Sequence, residues 1–463
     1  MSGMKKELWA TARAASLQDI LQRREARAQR QKELPVGKKQ CLISFCMNIP
    51  GERKSFPLAR RGFEEGLSML RESFGAKIVF CEEYHGVAGD EALLVIDAEA
   101  PEVKRKTVAL EQGHPFGRVW DMDVLDAAGN SLSRTAFGFP PRSCLICGGN
   151  AKACGRSRRH PVEEALAAVC DLLESYFVLQ MSEAVADCGV CALVSEVSAT
   201  PKPGLVDRSN SGSHDDMDYA IFVRSANALR ESFARFFRIG YDGAQLAPHQ
   251  LFHALRREGQ AAESVMFTAT NGVNTHKGMI FSTAVFCGAL GKLYAQQGPD
   301  STIEEAELFA VCAELGKYSL EDFEKKDETT EGLWCYNHAG VRGIRGEAAS
   351  GFASVRKTAL PALRFWQTKG VSSDESAAAA LLALIAETED TNMMHRGGMR
   401  EALRRREEAA EVYRVLTPEN LKETLQRLDA DYIAHHLSPG GCADLLGIAL
   451  LVTELEEKKI LHR

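Results

Sequence analysis

After Lys38, short apolar runs alternate with stretches of helical spacing. Cys41–Ile49 reads as a strand stopped by Pro50-Gly51, Leu58–Ser73 as a helix, and Ile78–Tyr84 and Ala92–Asp97 as strands. Pro101–Leu110 has the spacing of a helix opened by proline in its first turn. It leads into an apolar run interrupted by two aspartates, Gly117-Arg-Val-Trp-Asp121-Met-Asp123-Val-Leu. Beyond Pro161 the strand signals vanish. Pro161–Ser198, Met217–Arg238, Gly278–Gln297, Ile303–Lys317, Ser373–Glu387, Met399–Leu416, Pro418–Leu437 and Ala443–Lys459 all carry helical spacing, joined by segments rich in Gly, Pro, Asn and Asp. The pattern predicts two domains: an α+β unit with a small sheet over residues 1–172, and an all-α unit over 173–463, the boundary falling near Leu172.

Composition narrows the class. The length of 463 residues suits two or three domains, and 45% hydrophobic with 26% charged residues is ordinary for a globular protein. A net charge of −7 argues against general nucleic-acid binding, so any polyanionic ligand must meet local basic groups. Met1–Ala10 lacks the apolar core of a signal peptide, and no stretch approaches ~20 uninterrupted apolar residues, so no membrane span is expected. Thirteen scattered cysteines read as reduced thiols, which implies the cytoplasm. Ala12–Lys32 is an arginine-rich helix (Arg13, Arg23, Arg24, Arg27, Arg30), either solvated and partner-facing or set against a phosphate or acidic protein.

On a strand, Asp121 and Asp123 leave the same face, roughly 7 Å apart at twice the ~3.3 Å rise. Paired carboxylates repel unless a cation lies between them, and Mg²⁺ suits such oxygen ligands. Gly117 would let a phosphate approach the backbone closely. The plain alternative is a solvated strand edge beside the Asp126–Asn130 turn.

Further on, Arg142-Ser-Cys144-Leu-Ile-Cys147 continues through Cys154 to Arg156, Arg158, Arg159 and His160. The spacing C-x2-C-x6-C-x5-H could supply a Cys3His zinc site, although the Gly148-Gly149-Asn150 turn could equally bring ordinary cysteines together. The basic cluster just before a helix start makes a local anion site, or else a solvated turn. Asn48-Ile-Pro-Gly51, His114-Pro-Phe-Gly-Arg118-Val-Trp-Asp121-Met-Asp123-Val, and the segment from Arg142 to His160 resemble the citrate lyase holo-acyl-carrier-protein synthase family over residues 10–170. That resemblance implies a nucleotidyltransferase-like unit that transfers a phosphoribosyl-dephospho-CoA group to a serine of the lyase's acyl carrier (gamma) subunit and releases pyrophosphate. It implies Asp121 and Asp123 as metal ligands, with Arg118, Arg142, Arg156, Arg158 and His160 on the phosphates. A third carboxylate is usual in such sites; Glu111 is a candidate that nothing in the spacing selects.

The helical half carries four polar islands. The first, Glu196 to Met217, contains Asp207, Asn210, His214, Asp215 and Asp216; the second is Thr270-Asn271-Gly-Val-Asn274-Thr275-His276-Lys277-Gly278. The third contains Arg342, Arg345, Gly346 and Glu347, and the fourth Asp390, Asn392, His395 and Arg396. Each lies beside an expected helix end, where free N–H groups and the macrodipole attract phosphates. Lys277, Arg345 and Arg396 supply charge for a triphosphate, and the carboxylates exceed what capping needs, fitting Mg²⁺ binding or oxocarbenium stabilisation. Taken singly, Asp390 or Asp216 could be an N-cap and His276 a satisfied core histidine.

Together the islands resemble the triphosphoribosyl-dephospho-CoA synthase family over residues 175–463. The resemblance implies ATP and dephospho-CoA as substrates, joined with loss of adenine, with Asp207 or Asp215 as the first candidates for the base and Asp216, Glu347 and Asp390 as metal ligands. The order of the two resemblances matches fused forms of these proteins. Alternatives are the same chemistry serving malonate decarboxylase, an ADP-ribose hydrolase-like C-terminal half, or a zinc-stabilised adaptor.

Overall fold

A computed structural model describes Trp9 and residues 12–298, 301–324 and 331–463; apart from Trp9, the Met1–Ala10 segment lies outside the described residues. The chain divides into two compact units between Leu179 and Gln180, a few residues beyond the expected Leu172.

The first unit contains α1 (Leu17–Glu33), β1 (Cys41–Met47), α2 (Pro57–Phe74), β2 (Ile78–Tyr84), β3 (Glu91–Ile96), α3 (Ala100–Gly113), β4 (Trp120–Leu125) and α4 (Ala151–Ser157). α5 (Val162–Ser198) contains the division. α1 begins at Leu17 rather than Ala12 because Ser16 and Asp19 form a capping box, with Ser16 Oγ accepting from Asp19 N at 3.1 Å. The four strands form an antiparallel sheet in the order β2-β3-β1-β4, so the aspartate strand is an edge. Cys41, Ile43 and Phe45 of β1 and Trp120, Met122 and Val124 of β4 bury one face against α2. Gly66 lets that helix close in, because a Cβ there would stand 2.5 Å from the Phe45 ring and 2.7 Å from Trp120 Nε1.

The second unit contains α6 (Tyr219–Ala228), α7 (Arg230–Asp242), α8 (Pro248–Ala269), α9 (Lys277–Gln297), β5 (Ile303–Glu304), α10 (Glu305–Gly316), α11 (Glu331–Ala339), α12 (Gly343–Ala349), α13 (Leu360–Thr368), α14 (Ser373–Glu387), α15 (Thr391–Gly397), α16 (Met399–Arg414), α17 (Leu421–Ala434), α18 (Gly440–Glu457) and β6 (Leu461–His462). Among the described residues, the regular structure of the expected all-α unit is helical except for one short parallel pairing, Ile303 with Leu461 and Glu304 with His462. The single helix expected over Met217–Arg238 is two, divided at Leu229. α8 was not expected. Its buried positions Leu251, Phe252, Leu255, Gly259, Ala262 and Met266 follow helical spacing, but Gly259 and the polar residues between them dilute the pattern.

α9 is the centre of this unit. It meets α7 backbone to backbone: a Cβ on Gly240 would fall 2.0 Å from Gly288 O, and one on Gly291 2.0 Å from Phe237 O. α5 and α9 are long and apolar enough to cross a bilayer by length and composition alone, a test that core helices also pass, and most of the apolar length of α9 is buried in protein.

Candidate active sites

In the first unit, Asp121 pairs across the sheet with Cys46 and Asp123 with Ser44, while Trp120, Met122 and Val124 point into the core. The two aspartates therefore share the outer face of an edge strand. Arg142 Nη1 donates to Asp121 Oδ1 at 2.8 Å, and the same guanidinium binds Glu111 through Nη2. Glu111 is buried, and its Oε1 also accepts from Met122 N at 3.0 Å. Burial holds its carboxyl above the usual range although Arg142 pulls the other way. Asp123 opens to solvent, yet the protein packed around it and the adjacent Asp121 charge both push its carboxyl upward. The cation that a carboxylate pair requires is thus partly supplied by Arg142, and Glu111 joins Asp121 through it.

More positive charge surrounds this strand than expected. Arg118 donates through Nε to Ser143 O at 2.7 Å, and Arg134 Nη1 lies 3.9 Å from Glu111. Arg118 Nη1 and Arg134 Nε are buried without a hydrogen-bond acceptor. α1 lies against the same face of the sheet. Arg23 and Arg27 both pair with Glu91 (2.7 and 3.0 Å), the residue beside Cys46 on β3. Arg23, Arg24, Arg27, Lys54 and Asp121 line a cavity of ≈140 Å³. The i, i+4 spacing of Arg23 and Arg27 put them on one helical face, a signal that the sequence contained but that did not say which surface the face would meet.

Three expectations for this unit change. Gly117 is buried, and the room left by its missing Cβ is taken by the carbonyls of Leu110 and Glu111 at 2.8 Å, so it offers no backbone to a phosphate. His160 lies among Cys144, Cys147 and Cys154, the set that the spacing offered for zinc. Arg156 and Arg158 are exposed on and just after α4, where a solvated basic turn had been the alternative.

In the second unit all four islands reach one cavity of ≈1150 Å³. From the first island His214 and Asp216 line it, and Asp207, Asn210 and Asp215 do not. Asp207 is buried and spent on its own loop: Oδ1 accepts from Ser209 N (2.6 Å) and Asn210 N (3.1 Å), and Oδ2 from Lys202 N (3.1 Å). Asn210 ties that loop to Asp429 at 2.9 Å, and Asp215 is exposed. The lining instead includes a buried pair absent from the expected set, Lys202 Nζ and Glu196 Oε1 at 2.6 Å.

From the second island Asn274 to Gly278 line the cavity, while Asn271 forms a left-handed turn (φ 55°) outside it. Thr275 Oγ1 donates to Ser225 Oγ at 2.8 Å, and Ser225 Oγ lies 2.8 Å from His276 Nδ1. If that relay continues, Ser225 donates to Nδ1 and the proton of His276 sits on Nε2, which is buried without a partner. Burial, reinforced by Lys202, lowers His276 to about 3, so the ring is neutral. Lys277 pairs with Glu263 at 3.3 Å. The space at Gly278, expected to admit a phosphate, is filled by Asp444, whose Oδ2 would stand 1.9 Å from a Cβ there. Asp444 lines the cavity and was not among the expected residues; burial, Glu196 and Asp390 push its carboxyl far up.

Arg342, Arg345, Gly346 and Glu347 enter from α12 and the residue before it, and Asp390, Asn392 and Arg396 from α15 and its cap. Arg345 pairs with Asp322 at 3.0 Å, and Arg396 reaches Ser213 O (3.0 Å) and His214 Nδ1 (3.1 Å). Glu347 accepts from Ser354 through both oxygens. Asp390 accepts from the N–H groups of Asn392, Met393 and Cys442, so it caps α15 and also meets the start of α18. Carboxylates, arginines and helix starts from distant segments thus close on one polar chamber.

Residues 15–176 match the family model of apo-citrate lyase phosphoribosyl-dephospho-CoA transferase, and residues 182–462 that of ATP:dephospho-CoA triphosphoribosyl transferase. A Haemophilus influenzae protein named Protein CitXG is 33% identical over 94% of this chain and 95% of its own length. A Leuconostoc mesenteroides protein of the same name is 31% identical over 95% and 97%. A Vibrio cholerae protein named probable 2-(5''-triphosphoribosyl)-3'-dephosphocoenzyme-A synthase is 41% identical over 57% of this chain and 85% of its own. Two units with two charged clefts, each matched to a transferase family, define a bifunctional transferase. The chain belongs to the CitXG family, in which the two transferases are fused in this order.

Proposed function

We infer that this protein makes the citrate lyase prosthetic group and attaches it to its carrier, with one reaction in each unit. In the C-terminal cavity the ribose 2′-hydroxyl of dephospho-CoA attacks C1′ of ATP. The C–O bond forms as the bond to adenine breaks, and the hydroxyl proton passes to a carboxylate and on to the departing base, so that adenine leaves neutral. Lys277, Arg345 and Arg396 take the triphosphate, and the lining carboxylates offset the positive charge that develops on the sugar. With Asp207 committed to its loop, the base comes from the lining carboxylates, of which Asp216 is exposed to the substrate side.

The product keeps the triphosphate, which suits it as donor for the N-terminal unit. There the serine hydroxyl of the acyl carrier (gamma) subunit attacks the α-phosphorus and pyrophosphate leaves, a nucleotidyltransferase-type step governed by alignment and charge. Arg142, Arg118 and Arg134 on one side and the arginines of α1 on the other supply that charge. Asp121 and Asp123 in this unit offer the hard oxygen ligands that Mg²⁺ takes; in the other, Glu347 and Asp390 already accept from Ser354 and from three backbone N–H groups and have only their remaining lone pairs for Mg²⁺, with Asp216 as a further ligand where it is not the base, and bound Mg²⁺ would neutralise the triphosphate.

The observation that carries this reading is the convergence of four separated islands on one cavity within a family-matched unit. Lys277→Ala tests it. Adenine release from ATP should require dephospho-CoA and fall by about 10²-fold or more in the variant. Release at the full rate, or release without dephospho-CoA, would place the triphosphate elsewhere or make the unit a hydrolase.

A further inference from the structure

We propose that Cys144, Cys147, Cys154 and His160 bind a structural zinc ion that holds Arg142 and Arg118 in the N-terminal active site. The metal-binding proposal stands on its own; the positioning role rests on the transferase reading above.

One ligand atom from each of the four residues lies within 4.8 Å of the other three, a cluster that needs only a small contraction to reach the roughly 3.3–3.8 Å edges of a tetrahedral zinc shell with bonds of about 2.0–2.3 Å. The residues come from different local structures. Cys144 and Cys147 sit on a turn closed by Cys144 N to Gly149 O (2.6 Å) and Gly148 N to Cys144 O (3.1 Å). Cys154 is on α4, which Asn150 caps by accepting from Ala153 N at 3.0 Å, and His160 follows that helix. A chance cluster of thiols does not explain the histidine. Its Nε2 is buried and has no hydrogen-bond partner, while Nδ1 faces Glu164 Oε2 at 3.9 Å. That is the posture of a metal-binding imidazole, with one nitrogen for the ion and the other toward an orienting carboxylate.

Backbone N–H groups of Cys147 and Ile146 point at Cys144 Sγ. Three thiolates with one Zn²⁺ leave a single negative charge, which the exposed Arg156, Arg158 and Arg159 offset. Cys147 Sγ and Cys154 Sγ are 3.5 Å apart, well beyond the ~2.05 Å of a disulfide.

The cluster reaches the chemistry through the backbone. Arg142 is two residues before Cys144, and its carbonyl accepts from Ala151 N at 3.0 Å. Ser143 bridges Asn150 and gives its carbonyl to Arg118 Nε. Zinc therefore closes the loop from which Arg142 extends to Asp121 and Glu111. Cys144, Cys147, Cys154 and His160 are positioning residues in this scheme.

Metal analysis of the full-length protein after gel filtration should find about one zinc per chain. Cys147→Ser and His160→Ala should lose it, and Co²⁺ reconstitution should give the absorption of thiolate-bound cobalt in the parent only. Carrier modification should fall roughly 10²-fold in both variants, whereas dephospho-CoA-dependent adenine release should stay normal and so report an intact chain. Arg142→Ala combined with Cys147→Ser should lose little beyond the worse single variant, because both act through the same side chain. Absence of zinc from a fully active protein, iron in its place, or zinc retained by both variants would overturn the site. Zinc loss with carrier modification unchanged would overturn the positioning role while leaving the transferase reading intact.

Discussion

Single residues in the C-terminal cavity show how burial changes chemical character. His276 and Lys277 are neighbours, yet one is fully buried and neutral and the other half-exposed and paired with Glu263. An ordinary histidine titrates at 6.5, but folded His276 accepts a proton only near 3. Between those values the unfolded chain binds a proton that the folded chain refuses. The contribution is therefore present above pH 6.5 and is lost as pH falls toward 3. Urea midpoints measured across this window should drop less steeply in His276→Gln than in the parent; parallel curves would show that His276 is not the group responsible. At this scale the sequence was a partial guide. Lys277, Arg345, Arg396, Asp216, Glu347 and Asp390 were legible because charged residues beside glycine and asparagine mark helix ends. Asp207 satisfies three N–H groups of its own loop, and its local sequence does not distinguish that role from meeting a ligand. Asp444 and Lys202 were not singled out, since only tertiary packing brings α18 and the loop after α5 to the start of α9.

At the scale of elements, most strands and helices followed from periodicity. β2 and α14 fall on the expected residues, and the latter is held by a Ser372–Glu375 capping box. What periodicity could not supply was close approach. α9 reads as an apolar helix with three glycines, Gly278, Gly288 and Gly291, and nothing local says that the last two admit the backbone of α7 and the side chain of Leu255. Gly291→Ala would drive a Cβ into Phe237 O and should cost about 1–3 kcal/mol in urea unfolding. Because the first turn of α9 carries Lys277, the same variant should raise KM for ATP in adenine release. An unchanged midpoint would mean that the two helices separate freely. In the first unit α1 teaches a similar lesson: its four arginines were visible, but only the sheet register shows that Arg23 and Arg27 meet Glu91 beside the aspartate strand.

For the molecule as a whole, the change from alternating elements to continuous helical spacing marked two units, and the structure and both family matches divide the chain within a few residues of one another. Each unit holds its own charged site, so each reaction should be removable by itself. Asp121→Asn should stop carrier modification with little loss of fold while adenine release continues. The most direct measurement is mass spectrometry of the citrate lyase acyl carrier subunit after incubation with enzyme, ATP, Mg²⁺ and dephospho-CoA. The parent protein should add one phosphoribosyl-dephospho-CoA group to one serine, with adenine and pyrophosphate formed in equal amounts, and Asp121→Asn should leave the carrier unmodified. An unmodified carrier with the parent enzyme, or full modification by the variant, would contradict the account.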